Sequence, residues 1–271
     1  MELEGKVALV LGSIKGIGKA VGLALAERGV KVALTHHDWE ESLESMKADF
    51  AATGTEHLIT RIDLRQCDAV PRLIEGVMER FGRLDILVNN IERGGWPVVH
   101  GEYTQEQWDL EIETTLRAKR WVFDAALPHL KASGDGVAIN LSSIAGIVGR
   151  SGPASYVFNE AYATANRGVS LLTETWARLG APEVRVNELM LGIFETRHAE
   201  KTRAWGLLTE AQRRALLDHT LLGRSGKPED VASAILFMIE GAPYMTGSVM
   251  RLDGGYTLGG AEVAPMPEGV E

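Results

Sequence analysis

The sequence predicts an α/β protein built on one doubly wound parallel sheet, and three observations support this. Short apolar, β-branched segments alternate along the chain with longer segments of helical periodicity. The short segments are apolar at nearly every position, which is typical of strands covered by helices on both faces. No linker-like stretch or internal repeat divides the 271 residues. Repeated β-α-β units with right-handed crossovers are therefore expected to form a single domain over residues 1–258, followed by a tail over 259–271.

Seven segments have the composition of strands: Lys6–Leu11, Lys31–Thr35, His57–Ile62, Leu84–Asn89, Val137–Leu141, Val184–Leu189 and Ser248–Leu252. Helices are expected between them, over Gly16–Arg28, Glu40–Ala52, Asp68–Phe81, Gln105–Leu130, a long segment ending near Leu179, and Pro228–Ile239. The segment Ile193–Leu222 is charged and helical in pattern, with no strand beside it. We expect this segment to form a lid over the carboxyl edge of the sheet.

Composition limits the classes of function. The net charge of -9 argues against nucleic acid and anionic membranes as partners, since phosphate-binding surfaces need clustered Lys and Arg. The single cysteine, Cys67, cannot form an internal disulfide, which fits a reducing cytosol. The N-terminus lacks the pattern of a signal peptide, and no apolar run approaches the ~18–20 residues of a spanning helix. We expect a soluble, cytoplasmic protein. Four scattered histidines lack metal-ligand spacing and predict no metal site: His100, His129, His198 and His219.

A glycine-rich turn joins the first predicted strand to the first predicted helix, with the sequence Gly12-Ser13-Ile14-Lys15-Gly16-Ile17-Gly18. Glycines let such a turn tighten and let the backbone approach a pyrophosphate, which the helix N-terminus then stabilises. Taken alone, the turn is also compatible with glycines that serve only its tight geometry. Its place after a strand of a parallel sheet favours a dinucleotide site, because ligands of such sheets bind where the carboxyl ends of the strands diverge.

The spacing Gly-x-x-x-Gly-x-Gly resembles that of the short-chain dehydrogenase/reductase family. Further matching motifs follow in the family's order over about residues 3–256: Asp63-Leu64, Asn89-Asn90, Asn140–Ser143, Arg185–Asn187, Leu191-Gly192, Arg224–Ala232 and Thr246–Gly255. The resemblance implies a Rossmann fold with a seven-stranded sheet and an oxidoreductase that uses a nicotinamide cofactor on a carbonyl or alcohol. It also implies a homodimer or homotetramer.

The resemblance places the cofactor against Gly12, Ser13, Lys15, Gly16, Ile17, Gly18, His36, His37, Asp63, Leu64, Asn90, Gly192, Ile193 and Thr196. In this family the residue that ends the second strand determines whether NAD or NADP is preferred, because a carboxylate there repels a 2′-phosphate. His36 and His37 occupy that position, with Asp38 close behind, and Lys15 can pair with the phosphate. These residues favour NADP(H) over NAD(H), while Asp38 leaves NAD(H) open.

Family members use a Ser-Tyr-Lys set supported by an Asn, in which the tyrosine exchanges a proton with the substrate oxygen. Ser143 matches the serine, and two tyrosines compete for the next place. The family spacing of thirteen residues selects Tyr156, whereas the register of the helix before the sixth strand selects Tyr162. We choose Tyr162, with about six residues inserted in the loop 150–161, because the helix must keep its apolar face on the sheet. Tyr156 remains the alternative.

Two positions of the family's set are occupied by other residues. The lysine, whose ammonium would favour the phenolate, is replaced by Asn166, or by Glu160 if Tyr156 is the tyrosine. Thr115 replaces the supporting asparagine. Lys119 lies four residues after Thr115 on nearly the same helical face, and one hypothesis is that its ammonium substitutes for the lost charge. A surface position is nevertheless the more usual outcome for such a lysine. Further departures from the motifs near the expected reaction centre are Glu92 and Leu191.

Two hypotheses of function stay open. The first is an NAD(P)(H)-dependent oxidoreductase in which Ser143 orients the substrate oxygen and Tyr162 donates the proton. The second is a cofactor-binding pseudoenzyme, or a regulatory or structural subunit with little turnover, because Asn166 and Thr115 replace the family's Lys and Asn. The substrate is not readable from the sequence. Three apolar residues of the expected lid either form a substrate wall or pack in the core: Trp205, Leu207 and Leu208.

Overall fold

The structure is a computed structural model that describes residues 1–91, 104–196, 203–260 and 263–269. Seven parallel strands form one sheet in the order β3-β2-β1-β4-β5-β6-β7. The strands are β1 (Val7–Val10), β2 (Lys31–His36), β3 (His57–Arg61), β4 (Ile86–Asn89), β5 (Gly136–Ser143), β6 (Val184–Leu191) and β7 (Val249–Leu252). The predicted doubly wound sheet is confirmed, and the ends of its strands differ from the predicted ones by one or two residues.

Ten α-helices lie within the described ranges: α1 (Gly16–Ala26), α2 (Leu43–Ala52), α3 (Val70–Phe81), α4 (Gln105–Glu111), α5 (Ala118–Ala132), α6 (Ala145–Val148), α7 (Glu160–Gly180), α8 (Arg203–Leu207), α9 (Glu210–Asp218) and α10 (Pro228–Leu236). The long helix predicted over Gln105–Leu130 is divided, because one π-helical segment, Ile112–Arg117, separates α4 from α5. The predicted lid contains α8 and α9, and its residues 197–202 lie outside the described ranges.

Apolar side chains cover both faces of the sheet. Val10, Leu34 and Ile139 point to the face covered by α1, α2 and α10. Leu9, Leu87 and Ala138 point to the opposite face, which α3, α5 and α7 cover. Successive residues of a strand point to opposite faces, so a strand buried on both must be apolar throughout. A third apolar cluster (the edge cluster) lies at the carboxyl edge of the sheet and is defined by Ile144, Ala145, Ala154, Val157, Phe158, Tyr162, Met190, Ile193, Trp205, Leu208, Leu216 and Tyr256.

Two residues of the Arg185–Asn187 motif join β6 to the chain that follows α10. The Arg185 guanidinium donates to the carbonyl oxygens of Met238 at 3.1 Å and Ala242 at 2.9 Å, which satisfies acceptors left open at a helix end. Asn187 donates from Nδ2 to the carbonyl oxygen of Met245 at 2.7 Å. This part of the motif is therefore structural, since it fixes the turn that precedes β7.

No helix within the described ranges combines the length and the apolar character needed to cross a membrane.

Gly76 within α3 and Gly82, the residue that caps its C-terminus, provide a matched pair for testing the helix. A methyl group added at either Gly76 or Gly82 would meet no atom within 4 Å, but Gly82 caps the helix with φ +74°. Gly76→Ala is expected to raise the free energy of unfolding by ~0.5–1 kcal/mol, because alanine loses less conformational entropy in a helix. Gly82→Ala is expected to lower it, because an alanine is strained at positive φ. Urea unfolding checks both, and a rise in both variants would contradict the assigned end of α3.

Candidate active site

The crevice between β1 and β4 lies where the strand order reverses, and it holds the glycine-rich turn. The backbone N–H of Gly12 donates to Thr35 Oγ1 at 3.1 Å, and that of Ser13 donates to the Thr35 carbonyl at 2.8 Å. From the other side, Asn90 Nδ2 donates to the carbonyl oxygens of Leu11 at 3.1 Å and Gly12 at 3.3 Å. The turn is therefore held between the neighbouring strands, and Asn90 supports it from the side of β4.

Close contacts leave room only for glycine at two positions of this turn. Gly12 has φ +64°, and a Cβ there would lie 2.6 Å from the Asn90 carbonyl oxygen. A Cβ at Gly18 would collide with the Gly12 carbonyl oxygen and lie 2.7 Å from Asn90 Nδ2. Helix α1 begins at Gly16, and its first turn contains no acidic side chain. The N-terminus of α1 is thus suited to an anion such as a pyrophosphate.

A cavity of about 390 Å³ opens along this crevice. Eleven of the predicted cofactor contacts line it: Gly12, Lys15, Gly16, Ile17, Gly18, His36, His37, Asp63, Leu64, Asn90 and Thr196. Ser13, Gly192 and Ile193 do not line it. The Ser13 hydroxyl donates to the Val10 carbonyl at 2.6 Å, Gly192 packs on Asp253, and Ile193 belongs to the edge cluster. These three residues therefore do not face the cavity and instead pack behind the residues that line it.

Trp39 and Arg65 line the cavity near the end of β2 and were not predicted as cofactor contacts. Lys15 Nζ lies 2.8 Å from the centroid of the Trp39 ring, a cation–π arrangement. Arg65 forms a bidentate pair with Asp63, with Nε–Oδ1 at 2.8 Å and Nη2–Oδ2 at 2.6 Å. These hydrogen bonds from Arg65 hold the pKa of the Asp63 carboxyl below its usual range. An arginine two residues after Asp63 was the signal for this pair in the sequence.

His36 and His37 differ, although the sequence treats them as equivalent candidates for the adenosine end. His36 is buried, and this burial lowers its pKa, chiefly by desolvating the imidazolium. Burial therefore favours the neutral form of the His36 imidazole. Its Nδ1 is buried and has no hydrogen-bond partner in the described part of the chain, so a polar ligand group suits it. His37 has an exposed side chain.

Tyr162 lies in the first turn of α7. Asn159 caps this helix by accepting a hydrogen bond from the Tyr162 backbone N–H at 2.7 Å, and an Asn at this point was a capping signal in the sequence. The Tyr162 ring is buried in the edge cluster, tilted against Phe158 with 5.6 Å between ring centroids. Tyr156 is half-buried in the short 3-10 helix Gly152–Tyr156, beside the same cluster.

Ser143 ends β5 and is buried, and its Oγ accepts a hydrogen bond from the Ala145 backbone N–H at 3.1 Å. The next residue, Ile144, packs in the edge cluster that contains Tyr162. Asn166 is fully buried one turn after Tyr162, and its Nδ2 donates to the Tyr162 carbonyl at 3.0 Å. Its amide is thus turned toward its own helix.

Thr115 is buried in the π-helical segment, and its Oγ1 has no hydrogen-bond partner among the described residues. Single π-helical turns occur frequently at functional sites. Lys119 follows on α5 and is only 1% exposed, so the expectation of a surface lysine is wrong. Its Nζ donates to the carbonyl oxygen of Ile91, the residue after the Asn89-Asn90 motif. The structure therefore places a buried ammonium behind the carboxyl end of β4.

The segment expected as a lid contributes four residues to the edge cluster: Ile193, Trp205, Leu208 and Leu216. Trp205 and Leu208 are buried there with Tyr162, while Leu207 is exposed. This packing favours a role in the core for Trp205 and Leu208 over a role as a wall of the substrate site. Three residues named from the sequence lie outside the described ranges: Glu92, His100 and His198. In the described ranges there is no group of three or more His, Cys, Asp or Glu able to hold a metal ion.

Comparison with known proteins gives matches over nearly the whole chain. The family model described as enoyl-(acyl carrier protein) reductase matches residues 12–257. The 3-oxoacyl-(acyl-carrier-protein) reductase FabG of Thermotoga maritima is 34% identical over 262 residues, which are 95% of this chain and 100% of that protein. A ketoacyl reductase assigned to the granaticin polyketide synthase of Streptomyces violaceoruber is 35% identical over 255 residues, 93% of this chain and 96% of that protein.

A solved structure shares the fold. The crystal structure of a protein provisionally described as a short-chain alcohol dehydrogenase from Sinorhizobium meliloti matches with a TM-score of 0.82 and 27% identity. The match covers 95% of this chain and 98% of that chain. The similarity therefore extends from the glycine-rich turn through β7.

Proposed function

The chain belongs to the short-chain dehydrogenase/reductase family, and on that premise we propose that it reduces a carbonyl group with NADPH. Tyr162 is the proton donor and Ser143 orients the substrate oxygen. The observation that carries the proposal is the cavity at the reversal of strand order, because its walls contain the glycine turn and eleven predicted cofactor contacts. The names of two relatives, a 3-oxoacyl and a ketoacyl reductase, support a 3-oxoacyl thioester as the first substrate to test.

The residues fit a nicotinamide dinucleotide. The turn from Gly12 to Gly18 has no room for a Cβ at either end, as a backbone that approaches a pyrophosphate requires. The buried Nδ1 of His36 lacks a partner among the described residues, which suits a ribose hydroxyl. When bound, the reduced nicotinamide supplies the hydride. Lys15 supplies the positive charge that favours a 2′-phosphate.

The chain's own residues supply the proton and the orientation. The Ser143 hydroxyl donates a hydrogen bond to the substrate carbonyl oxygen, and the Tyr162 hydroxyl gives that oxygen its proton as negative charge develops there. The edge cluster surrounds the Tyr162 ring with apolar side chains and limits the access of water. Exclusion of water strengthens hydrogen bonds to a developing negative charge.

The proposal is tested by measuring NADPH and NADH binding by calorimetry, followed by turnover with a panel of 3-oxoacyl thioesters and simple ketones. We expect NADPH to bind more tightly than NADH and to be oxidised in the presence of at least one 3-oxoacyl thioester. Tight NADPH binding without turnover on the whole panel would contradict the reductase and favour the cofactor-binding pseudoenzyme. Failure of both dinucleotides to bind would exclude either function.

Lys15→Ala is expected to weaken NADPH binding by about tenfold while leaving NADH affinity unchanged, because a hydrogen bond between charged groups contributes about 1.5–3 kcal/mol and solvent reduces it at this exposed site. The control is Lys19→Ala, one turn further along α1, where the lysine pairs with Asp49 and does not line the cavity. Calorimetry with both cofactors checks the result. An equal loss of NADH and NADPH affinity would show that Lys15 does not bind the 2′-phosphate.

A further inference from the structure

Glu188 is a buried carboxyl group that the proposed reaction does not yet use. It lies on β6 with 0% of its surface exposed, in a strand that is otherwise largely apolar. Removing a carboxylate from water is costly unless hydrogen bonds and opposite charges compensate it. An acidic residue inside such a strand was a signal available from the sequence. Its Oε1 accepts hydrogen bonds, whereas its buried Oε2 has no hydrogen-bond partner among the described residues.

Two serine hydroxyls donate to the same oxygen of this carboxyl group. Ser142 Oγ donates to Glu188 Oε1 from β5, and Ser170 Oγ donates to it from α7 at 3.1 Å. Ser142 directly precedes Ser143. Tyr162, Asn166 and Ser170 follow one another at four-residue intervals and so lie along one side of α7. Glu188 thereby joins the strand that carries Ser143 to the helix that carries Tyr162.

Basic residues on two of the three helices that cover this face of the sheet act electrostatically on Glu188. Lys119 on α5 and Arg167 on α7 both favour the ionised carboxylate, and Lys119 is the buried member of the two. Burial acts in the opposite direction and is the larger effect, so the pKa of Glu188 is raised above its ordinary value of 4.5. The hydrogen bonds from Ser142 and Ser170 oppose burial most, and Lys119 opposes it to a smaller extent, so we expect loss of this lysine to raise that pKa further.

We propose that Glu188 is a positioning residue, whose carboxylate accepts hydrogen bonds from Ser142 and Ser170, ties β5 to α7 and so fixes Ser143 relative to Tyr162. This role rests on the proposed function. The ionised group accepts hydrogen bonds from both serines, and these bonds are stronger to a carboxylate than to a neutral carboxyl. Protonation of Glu188 loosens the connection between strand and helix. A displacement of about 1 Å between catalytic groups is enough to cost up to roughly 100-fold in rate.

The first measurement is the kcat of carbonyl reduction as a function of pH in full-length variants. Glu188→Ala is expected to lower kcat by roughly ten- to 100-fold with an unchanged Kd for NADPH, because Glu188 does not line the cofactor cavity. Glu188→Gln keeps an acceptor oxygen for both serines but not the charge, so its kcat is expected to lie between those of the wild type and Glu188→Ala. The wild type should lose activity on the acid side of the pKa of Glu188, and Glu188→Gln should lack this loss.

Lys119→Met is expected to move the acid limb of kcat to higher pH. Its control is Lys131→Met on the same helix, where the lysine is partly exposed and lies 3.8 Å from Glu183. Ser170→Ala removes one contact alone and is expected to lower kcat by about threefold to tenfold. Thr175→Ala is the matched surface change on α7 and should have no effect, since its hydroxyl bonds only within the helix at an exposed position.

A second measurement follows the carboxyl group directly, by difference infrared spectroscopy of the apo protein during a pH titration. A carboxyl signal that titrates above pH 4.5 is expected in the wild type, absent in Glu188→Gln and moved to higher pH in Lys119→Met. Wild-type kcat in Glu188→Ala, or a titrating carboxyl signal that persists unchanged in Glu188→Gln, would overturn the positioning role alone. A wild type that binds NADPH without any turnover would instead overturn the proposed function, and this role with it.

Discussion

Tyr162→Phe is expected to lower kcat for carbonyl reduction by about 10²–10⁴-fold, the usual contribution of a positioned acid. The substitution removes only the hydroxyl, so the ring keeps its place in the edge cluster and its contact with Phe158. The Asn159 cap acts on the backbone of residue 162 and is unaffected. The midpoint of thermal unfolding and the Kd for NADPH should therefore stay near their wild-type values, while NADPH oxidation in the steady state measures the loss.

Tyr156→Phe decides between the two tyrosines in the same assay. Tyr156 lies in the 3-10 helix before α7, whereas Tyr162 lies on the helix that carries Asn166. We expect Tyr156→Phe to cost far less than Tyr162→Phe. The fully exposed Tyr244 provides the control variant Tyr244→Phe, for which wild-type activity is expected. A large loss in Tyr156→Phe together with an active Tyr162→Phe would show that the thirteen-residue spacing from Ser143 governs the site.

Gly18→Ala is expected to raise the Kd for NADPH by at least about 100-fold. The added methyl group would collide with the Gly12 carbonyl oxygen and lie 2.7 Å from Asn90 Nδ2. The nearest atom belongs to the backbone of the turn, so relief requires the turn itself to move, and overpacking of this kind costs about 1–3 kcal/mol or more. Displacement of the turn removes the amide groups and the N-terminus of α1 from their place at the pyrophosphate.

Calorimetry with NADPH measures this change, and circular dichroism shows whether the variant keeps its helices. Gly76→Ala is the control, since the same chemical change inside α3 meets no atom within 4 Å. NADPH binding at wild-type affinity in a folded Gly18→Ala protein would show that the turn is not the cofactor site. The proposed function would then lose the observation that supports it.

The fold and the cofactor cavity were predictable because they depend on local patterns. Seven apolar segments with intervening helical periodicity determine a parallel sheet with both faces covered, since each strand and helix must bury its apolar side. The turn from Gly12 to Gly18 follows β1 directly, so the topology alone brings it to the carboxyl edge. Asp63 and Asn90 follow β3 and β4, which lie on either side of the β1–β2 pair, and reach the same edge for the same reason.

Residues whose role depends on distant contacts were not predictable. The sequence spacing places Lys119 on the same helical face as Thr115 but does not say what covers that face. Its ammonium donates to the carbonyl oxygen of Ile91, 28 residues away along the chain, a contact that the spacing does not reveal. The charge state of His36 likewise depends on how much of the ring the surrounding chain desolvates. The apolar periodicity did not reveal the π-helical segment that separates α4 from α5.

The sequence by itself determined the sheet, the glycine turn and the absence of lysine and asparagine from two positions of the family's set. Only the tertiary structure decided that the Lys119 ammonium and the Glu188 carboxyl group are buried. Glu188 and Ser142 are 46 residues apart along the chain and meet because β5 and β6 pair in register. Local propensity decides which way a side chain faces on its own element, whereas burial, pairing and ionisation depend on the other elements that fold against it.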